Sequence, residues 1–135
     1  MNYWKKGCTY LLKNDPVFKH YYNPNHQLKT NKNKFDVLFK SICSQQISVS
    51  AAMSIYKNSK SIIGPINFKN FKTNKSKIKN LPLSKNKKKC LNSLLDNYHL
   101  VTDIKLSNSN FEKVNTNLTQ IFGIGKWTAE MFSIF

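Results

Sequence analysis

The sequence predicts an all-α protein built as a multi-helix bundle, and three observations support that prediction. Apolar residues recur at helical spacing along most of the 135 residues. No segment alternates apolar and polar residues in the way of a half-buried strand. Aspartate, serine and asparagine precede several of the apolar stretches, where their side chains can cap the first turn of a helix. The length suits one domain with a single core.

The first half of the chain is expected to contain four helices. Tyr3 to Leu12 form an amphipathic stretch, and Asp15-Pro16 fits the cap and first residue of a second, short helix. Residues 23–34 are polar and predict a loop. The third and fourth helices are indicated by apolar residues at helical spacing, namely Phe35, Leu38, Phe39 and Ile42, then Val49, Ala52, Met53 and Tyr56. The polar break Ser44-Gln45-Gln46-Ile47-Ser48 predicts a turn between them, with Ser48 as the cap of the fourth helix.

Gly64-Pro65 is predicted to end the fourth helix. Residues 66–82 fit either short helices or packed loop, because their apolar residues have no clear period. Ser84 is expected to cap a helix that continues through Leu95. The residues of that helix expected to face the core are Cys90, Leu91, Leu94 and Leu95.

Two further helices are predicted near the end of the sequence. Asn108 or Asn110 would open the first, which is expected to stop at Gly123, and the second would begin near Lys126. The apolar residues of these helices are Phe111, Val114, Leu118 and Ile121, then Trp127, Met131 and Ile134, and we expect them to face inward.

The charge of the chain points to a polyanionic partner. Its 22 basic residues, all lysine, and 6 acidic residues give a formal charge of +16. Nucleic acid fits such a balance better than a membrane surface. No apolar run reaches the roughly 20 residues that a membrane span needs, and the first residues lack the pattern of a signal peptide. Three widely spaced cysteines indicate neither a disulfide framework nor a zinc site, so we expect a soluble, intracellular domain.

The segment Gly123-Ile124-Gly125-Lys126 is the most informative motif. Two glycines between helices allow a tight turn, so that main-chain N–H groups can approach a phosphate. The helix that follows would direct its positive dipole end to the same place, and Lys126 would add a full charge. Taken alone, the motif also fits a simple turn between two helices.

With its neighbours, the motif resembles the helix-hairpin-helix (HhH-GPD) DNA glycosylases, above all the monofunctional 3-methyladenine DNA glycosylase II, or AlkA-type, enzymes. The hairpin (residues 118–132) is close to the signature of that subfamily in Gly123 to Phe132. Three other segments match in the expected order: Asp15-Pro16, the Gln45-Gln46 break followed by Ala51-Ala52, and Leu83-Ser84 with Lys87. The resemblance spans nearly the whole chain and identifies residues 1–135 as a partial glycosylase domain.

The resemblance implies three groups of site residues. The main chain of the hairpin would bind DNA phosphates at Phe122, Gly123, Ile124, Gly125, Lys126 and Thr128. Its carbonyl oxygens would hold a monovalent cation, with no other cofactor and no metal bound by side chains. Gln45, Gln46 and Ile47 would enter the duplex as a wedge, filling the gap left by a flipped nucleotide. Trp127 and Met131 would line the base pocket.

The resemblance also implies the chemistry. Trp127 stands where bifunctional relatives have a nucleophilic lysine, so strand cleavage through a Schiff base is not expected. The electron-rich face of an indole suits a cationic alkylated purine. Met131 stands where relatives often have an aromatic residue, which would narrow or weaken the base preference. The implied activity is base-excision repair of double-stranded DNA, by hydrolysis of the N-glycosidic bond of alkylated purines after base flipping.

Each of these residues also has a simpler structural interpretation. Trp127 would then be an ordinary core residue. Gln45 and Gln46 would cap the interrupted helix. The lysines at 85 and 87–89 fit a solvated face that adds nonspecific attraction, and a specific phosphate contact is the alternative.

The resemblance places the catalytic residue past residue 135. In the family, an Asp at the start of the next helix stabilises the oxocarbenium-like sugar, and none of the acidic residues present stands there. Residues 131–135 form an apolar helical pattern without a cap, so we expect a C-terminal truncation that removes the closing helices. The alternative is a complete, non-catalytic helix-hairpin-helix DNA-binding module. For the glycosylase we expect a cytoplasmic, nucleoid-associated monomer.

Overall fold

The computed structural model describes residues 3–26, 29–104 and 111–134. Within these ranges every regular element is helical, which confirms the all-α prediction. The elements are α1 (Tyr3–Asn14), α2 (Phe18–Tyr21), α3 (Lys34–Ser44), α4 (Val49–Ile63), α5 (Phe68–Thr73), a 3-10 helix (Lys75–Asn80), α6 (Lys85–Asp96), α7 (His99–Thr102), α8 (Phe111–Leu118) and α9 (Lys126–Ile134). None of these helices is both long and apolar enough to cross a membrane.

The chain divides into two compact units, Met1–Thr30 and Asn31–Phe135. In the first unit α1 packs against α2. The Asp15 carboxylate accepts a hydrogen bond from the Val17 N–H at 3.0 Å, as expected of a cap. However, α2 begins at Phe18 rather than at Pro16, because the bonds from Phe18 to Asp15 and from Lys19 to Pro16 span three residues and form turns.

The second unit is built around α3, which packs against α4, α6 and α9. The four apolar residues that predicted this helix are completely buried: Phe35, Leu38, Phe39 and Ile42. The helix begins at Lys34, which was predicted to be the last residue of the loop, because the Asn33 side chain accepts from the Asp36 N–H and caps the helix.

Ser48 caps α4 as predicted, by accepting from the Ala51 N–H at 3.3 Å. Of the apolar residues that indicated this helix, Ala52 is buried, but Val49 is 78% exposed and Met53 55% exposed. Their exposure leaves an apolar edge on the first turns of α4. The helix ends at Ile63, before Gly64, as predicted.

Residues 66–82 adopt the short-helix alternative, as α5 and the 3-10 helix. Ser84 then caps α6 as predicted, by accepting from the Lys87 N–H at 3.3 Å. The inward residues of α6 were predicted correctly, since Cys90, Leu91, Leu94 and Leu95 are buried. The four-residue helix α7 was not predicted, because one turn gives too short a pattern to detect.

Helix α8 differs from its prediction at its C-terminal end. Asn108 and Asn110, its expected openers, lie outside the described residues. The helix ends at Leu118 rather than Gly123, because the N–H groups of Ile121 and Ile124 each bond a carbonyl three residues earlier. Phe111, expected inside, is 48% exposed at the first position of the helix, whereas Val114, Leu118 and Ile121 are buried as predicted.

Helix α9 begins at Lys126, as predicted, but the inward position of Trp127 was wrong. This side chain is 67% exposed, because the helix turns Thr128, Ala129 and Phe132 toward the core instead. Met131 is half-buried, and the side chain of Ile134 lies outside what the structure describes.

Candidate nucleic-acid interface

The hairpin connects α8 to α9 and is fixed to the core by apolar residues on both sides of its glycines. Ile121 and Ile124 are almost completely buried, at 1% and 3% exposure. On α9, Ala129 and Phe132 are buried as well. Helix α9 packs against both α8 and α3. These buried residues anchor the hairpin on both sides of its exposed segment.

Gly123 is the position where this turn requires glycine. Its φ of +82° lies in the left-handed region, and a Cβ there would approach the Cβ and Sγ atoms of Cys90 to 2.8 Å. Burial raises the pKa of the Cys90 thiol to about 11, so the thiol is neutral and acts as an apolar packing group. The hairpin thus lies directly on α6 at this point.

Two side chains from other elements bind the backbone of the hairpin. The Phe122 N–H donates to Ser93 Oγ of α6 at 3.1 Å. The Gln45 side-chain amide Nε2 donates to the Gly123 carbonyl at 2.9 Å, across 78 residues of sequence. The Phe122 amide, predicted to bind phosphate, is therefore already satisfied within the protein. Sequence reasoning did not identify Ser93, since nothing in the sequence around it marks a contact with the hairpin.

Four consecutive amides at the start of α9 are open. Among the hydrogen bonds of the described residues, none uses the N–H of Gly125, Lys126, Trp127 or Thr128. These are the donors that the first turn of any helix leaves without an intrahelical acceptor, at its positive dipole end. A Cβ built on Gly125 would meet no atom within 4 Å, so this glycine leaves space outside the protein rather than inside it.

Charged and aromatic side chains surround these amides. The Lys126 side chain is 80% exposed, with its Nζ 3.8 Å from the Glu130 carboxylate. Lys89 of α6 places its Nζ 4.2 Å from the centre of the Phe122 ring, which is itself 45% exposed. Trp127 is 67% exposed, so the interpretation of Trp127 as a core residue is excluded.

Trp127 and Met131 lie one turn apart on the same side of α9. Trp127 is exposed and Met131 is half-buried, so the pair extends from the surface of the helix toward its packed side. The role of this pair as a base pocket stays a prediction.

The Gln-Gln turn (residues 45–48) joins α3 to α4. Gln46 has a φ of +58°, which is uncommon for a residue with a side chain and stores backbone strain. Gln46 is exposed and Ile47 is 39% exposed, whereas Gln45 is only partly exposed because its amide contacts the hairpin. The structure thus brings Gln45 to the hairpin, and among the described residues it records no hydrogen bond from Gln46 or Ile47 to the hairpin.

The lysines at the start of α6 do more than form a solvated face. Lys87 donates to the Cys43 carbonyl near the end of α3 at 2.8 Å, and Lys88 donates to the Lys79 carbonyl at 2.6 Å. Such contacts hold one helix to the carbonyl end of another element. These contacts correct the solvated-face interpretation for Lys87 and Lys88, whereas Lys89 is exposed beside Phe122.

Of three comparisons with known proteins, one found a similar protein. No family model matches the sequence, and no match was found among curated proteins. The fold is similar to the crystal structure of a DNA-3-methyladenine glycosidase from Bacillus halodurans, with a TM-score of 0.70 and 26% sequence identity. The match covers 93% of this chain and 60% of that chain, so this chain spans less than two thirds of the solved relative.

Proposed function

We propose that this chain is part of a DNA glycosylase of base-excision repair, which hydrolyses the N-glycosidic bond of alkylated purines in double-stranded DNA. The observation that supports it most is the likeness to a DNA-3-methyladenine glycosidase over 93% of the chain. The catalytic carboxylate of this proposal is an Asp past residue 135.

In this proposal the hairpin binds the DNA backbone. The N–H groups of Gly125, Lys126 and Trp127 have no acceptor among the described residues, and they lie at the positive end of α9. A phosphate there would accept main-chain hydrogen bonds and receive the attraction of the exposed Lys126 ammonium. Because main-chain groups make these contacts, they carry no sequence information and suit an enzyme that searches DNA for damage.

The carbonyl side of the hairpin fits the monovalent cation of the proposal. Among the described residues, the carbonyl oxygens of Phe122 and Ile124 accept no hydrogen bond, so both keep their lone pairs for a ligand. A cation bound there would add positive charge beside the same phosphate.

The base pocket of the proposal uses Trp127 and Met131. A purine flipped out of the duplex would stack on the exposed indole, and an alkylated purine would gain further from the attraction between its positive ring and the π face. Gln46 and Ile47, exposed on the Gln-Gln turn, would fill the space that the flipped nucleotide leaves. No lysine stands at residue 127, so water is the nucleophile.

The proposal is tested by comparing two duplexes, one methylated with dimethyl sulfate and one untreated. We expect tighter binding of the methylated duplex, and we expect Trp127→Ala to reduce that preference about tenfold, as the loss of a desolvated cation–π contact predicts. The matched control is Trp4→Ala in α1, a tryptophan of the other unit, which should leave the preference unchanged. Because the catalytic Asp of the proposal lies past residue 135, we expect chromatography of the supernatant to show no more free methylpurine with this chain than without protein.

Each outcome separates the proposed enzyme from its alternative. Equal affinity of the native chain for both duplexes would contradict the base pocket and favour the non-catalytic DNA-binding module. Loss of preference in both tryptophan variants would show that the effect is not specific to residue 127. Failure to bind either duplex would contradict both functions.

A further inference from the structure

We propose that Gln45 is a positioning residue that holds the hairpin in its DNA-binding conformation, and that it does not enter the duplex. The proposal rests on the proposed function, and it divides the Gln-Gln turn into two roles. Gln45 directs its side-chain amide back to the Gly123 carbonyl at 2.9 Å. Gln46 and Ile47 are the exposed residues of the same turn.

The geometry of the backbone explains how one amide can position the hairpin. The carbonyl of Gly123 and the N–H of Ile124 belong to the same peptide plane. Gln45 Nε2 bonds the carbonyl side of that plane, and the N–H side bonds the Ile121 carbonyl at 3.0 Å. With both sides bonded, the plane cannot rotate without breaking a hydrogen bond. The peptide that leads into the open amides of α9 is therefore fixed.

A second tether holds an earlier peptide of the hairpin, the one between Ile121 and Phe122. The Phe122 N–H donates to Ser93 Oγ of α6, and Gly123 packs directly against Cys90 of that helix. The hairpin is thus bound from α6 on one side and from the Gln-Gln turn on the other. Donors that are already oriented lose little entropy when a phosphate binds, so these tethers increase affinity without touching DNA.

The strained residue beside Gln45 fits this division. A φ of +58° at Gln46 is a conformation that the surrounding structure has to impose. The Gln45 contact with the hairpin anchors the residue before Gln46, and the Ser48 cap of α4 anchors the residue two positions after Gln46. Between these anchors Gln46 is exposed. The hydrogen bond of Gln45 is thus directed to the hairpin, and Gln46 is the residue of the turn that would enter the duplex.

The test uses two substitutions of the same kind in neighbouring residues of the full chain, Gln45→Met and Gln46→Met. Methionine keeps the length of the side chain and adds no charge, so only the hydrogen-bonding amide is lost. Hydrogen exchange of residues 121–128, followed by mass spectrometry without DNA, measures the tether directly. We expect about fivefold faster exchange there in Gln45→Met, no change in Gln46→Met, and unchanged exchange in α4 for both.

Binding to duplex DNA that contains 2-aminopurine separates the two roles. A positioning residue changes affinity, whereas a wedge changes the fluorescence of the unstacked base when the protein is saturating. For Gln45→Met we expect about fivefold weaker binding and a native fluorescence rise at saturation. For Gln46→Met we expect a reduced rise at saturation.

Two results would overturn the proposal. One is native hydrogen exchange of the hairpin in Gln45→Met, which would mean that the amide holds nothing. The other is a loss of the saturated fluorescence rise in Gln45→Met equal to that in Gln46→Met, which would make Gln45 a wedge. If the native chain binds no duplex, the proposed function fails, and hydrogen exchange without DNA still decides whether Gln45 holds the hairpin.

Discussion

At the scale of single residues, the two glycines of the hairpin have different surroundings. Gly123 faces the protein, with a φ of +82° and with Cys90 where a Cβ would stand. Gly125 has no atom within 4 Å of its Cβ position and faces outward. One glycine therefore serves the fold, and the other leaves room for a ligand.

This difference predicts that alanine lowers the stability of the fold at residue 123 but not at residue 125. Gly123→Ala should lower the free energy of unfolding by at least about 1–2 kcal/mol, from the left-handed backbone alone, with the contact at Cys90 adding to it. Gly125→Ala should leave stability close to native. Urea unfolding followed by circular dichroism measures both.

For Gly125 the larger variant Gly125→Val tests the ligand. A branched side chain there would block the approach of a phosphate, so we expect weaker binding to every duplex whatever its sequence, in a protein whose helical content is native. Native DNA affinity in folded Gly125→Val would remove the hairpin from the DNA-binding surface. Native stability of Gly123→Ala would contradict the role assigned to its contact with Cys90.

For single residues, the sequence predicted which residue types form the site but not which way each of them faces in the fold. The glycine pair predicted a tight turn that main-chain groups can use. Which glycine serves the fold depends on Cys90 in another helix, and the partner of Gln45 lies 78 residues away. Local spacing contains no information about such contacts. For the same reason the exposure of Trp127 was not predicted, since it depends on which side of α9 packs against α3.

At the scale of elements, the Asp36 carboxylate connects α3 to its neighbours. It accepts hydrogen bonds from Asn31, from Lys40 and from the Tyr56 hydroxyl of α4, at 2.6, 2.8 and 2.6 Å. Burial acts to raise the pKa of Asp36, but these three hydrogen bonds and the charge of Lys40 outweigh it, so the pKa lies below its ordinary value. The carboxylate is thus stabilised in its charged form.

The lowered pKa predicts how stability depends on pH. The folded state binds its proton on Asp36 less readily than the unfolded chain, so the stabilisation is fully present above the unfolded pKa of about 3.9 and is lost as the pH falls through the folded pKa. In Asp36→Asn this contribution is absent at every pH. The difference in free energy of unfolding between the native chain and the variant should therefore shrink between pH 7 and pH 3. A difference that stays constant would contradict the coupling.

The caps at the helix starts predict a further effect. Ser48 accepts from the first turn of α4, and Ser48→Ala should cost about 1 kcal/mol of stability. Ser54→Ala changes an exposed serine within the same helix and should cost nothing measurable or stabilise slightly, because alanine is the better helix former. Equal effects in thermal unfolding would argue against the cap.

Caps explain why most element starts were predictable. Ser48 and Ser84 each stand directly before an apolar helical pattern, so the capping residue and the spacing of apolar residues indicate the same helix start. At α2 the capping signal at Asp15 was present, but the turns after it delayed the helix to Phe18. The four residues of α7 have no side-chain cap and too few turns for a period, so no signal existed.

At the scale of the whole molecule, the lysines that give the charge of +16 are of two kinds. Some bond backbone carbonyls of the protein, and others are exposed. Lys34 donates to the carbonyls of Val101 and Ile104, and Lys87 to that of Cys43, so part of the excess stabilises the fold. Composition predicted a polyanionic partner, but only the contacts separate these lysines from those available to it. Lys126, 80% exposed beside the open amides of the hairpin, belongs to the available group.

Duplex binding is therefore expected to weaken steeply with salt, because each lysine that neutralises a phosphate releases counterions. Lys126→Gln should reduce the slope of log affinity against log salt concentration by about one, the value for one phosphate contact. Lys77→Gln, in the 3-10 helix that packs on α4 and α5, is the matched control and should leave the slope unchanged. Fluorescence anisotropy with a labelled duplex at several salt concentrations measures the DNA affinity of the native chain and of the two variants.

Equal slopes for the two variants would mean that Lys126 contacts no phosphate. Affinity independent of salt would contradict an electrostatic interface altogether. A reduced slope in Lys126→Gln alone would place the phosphate at the start of α9, where the open amides lie.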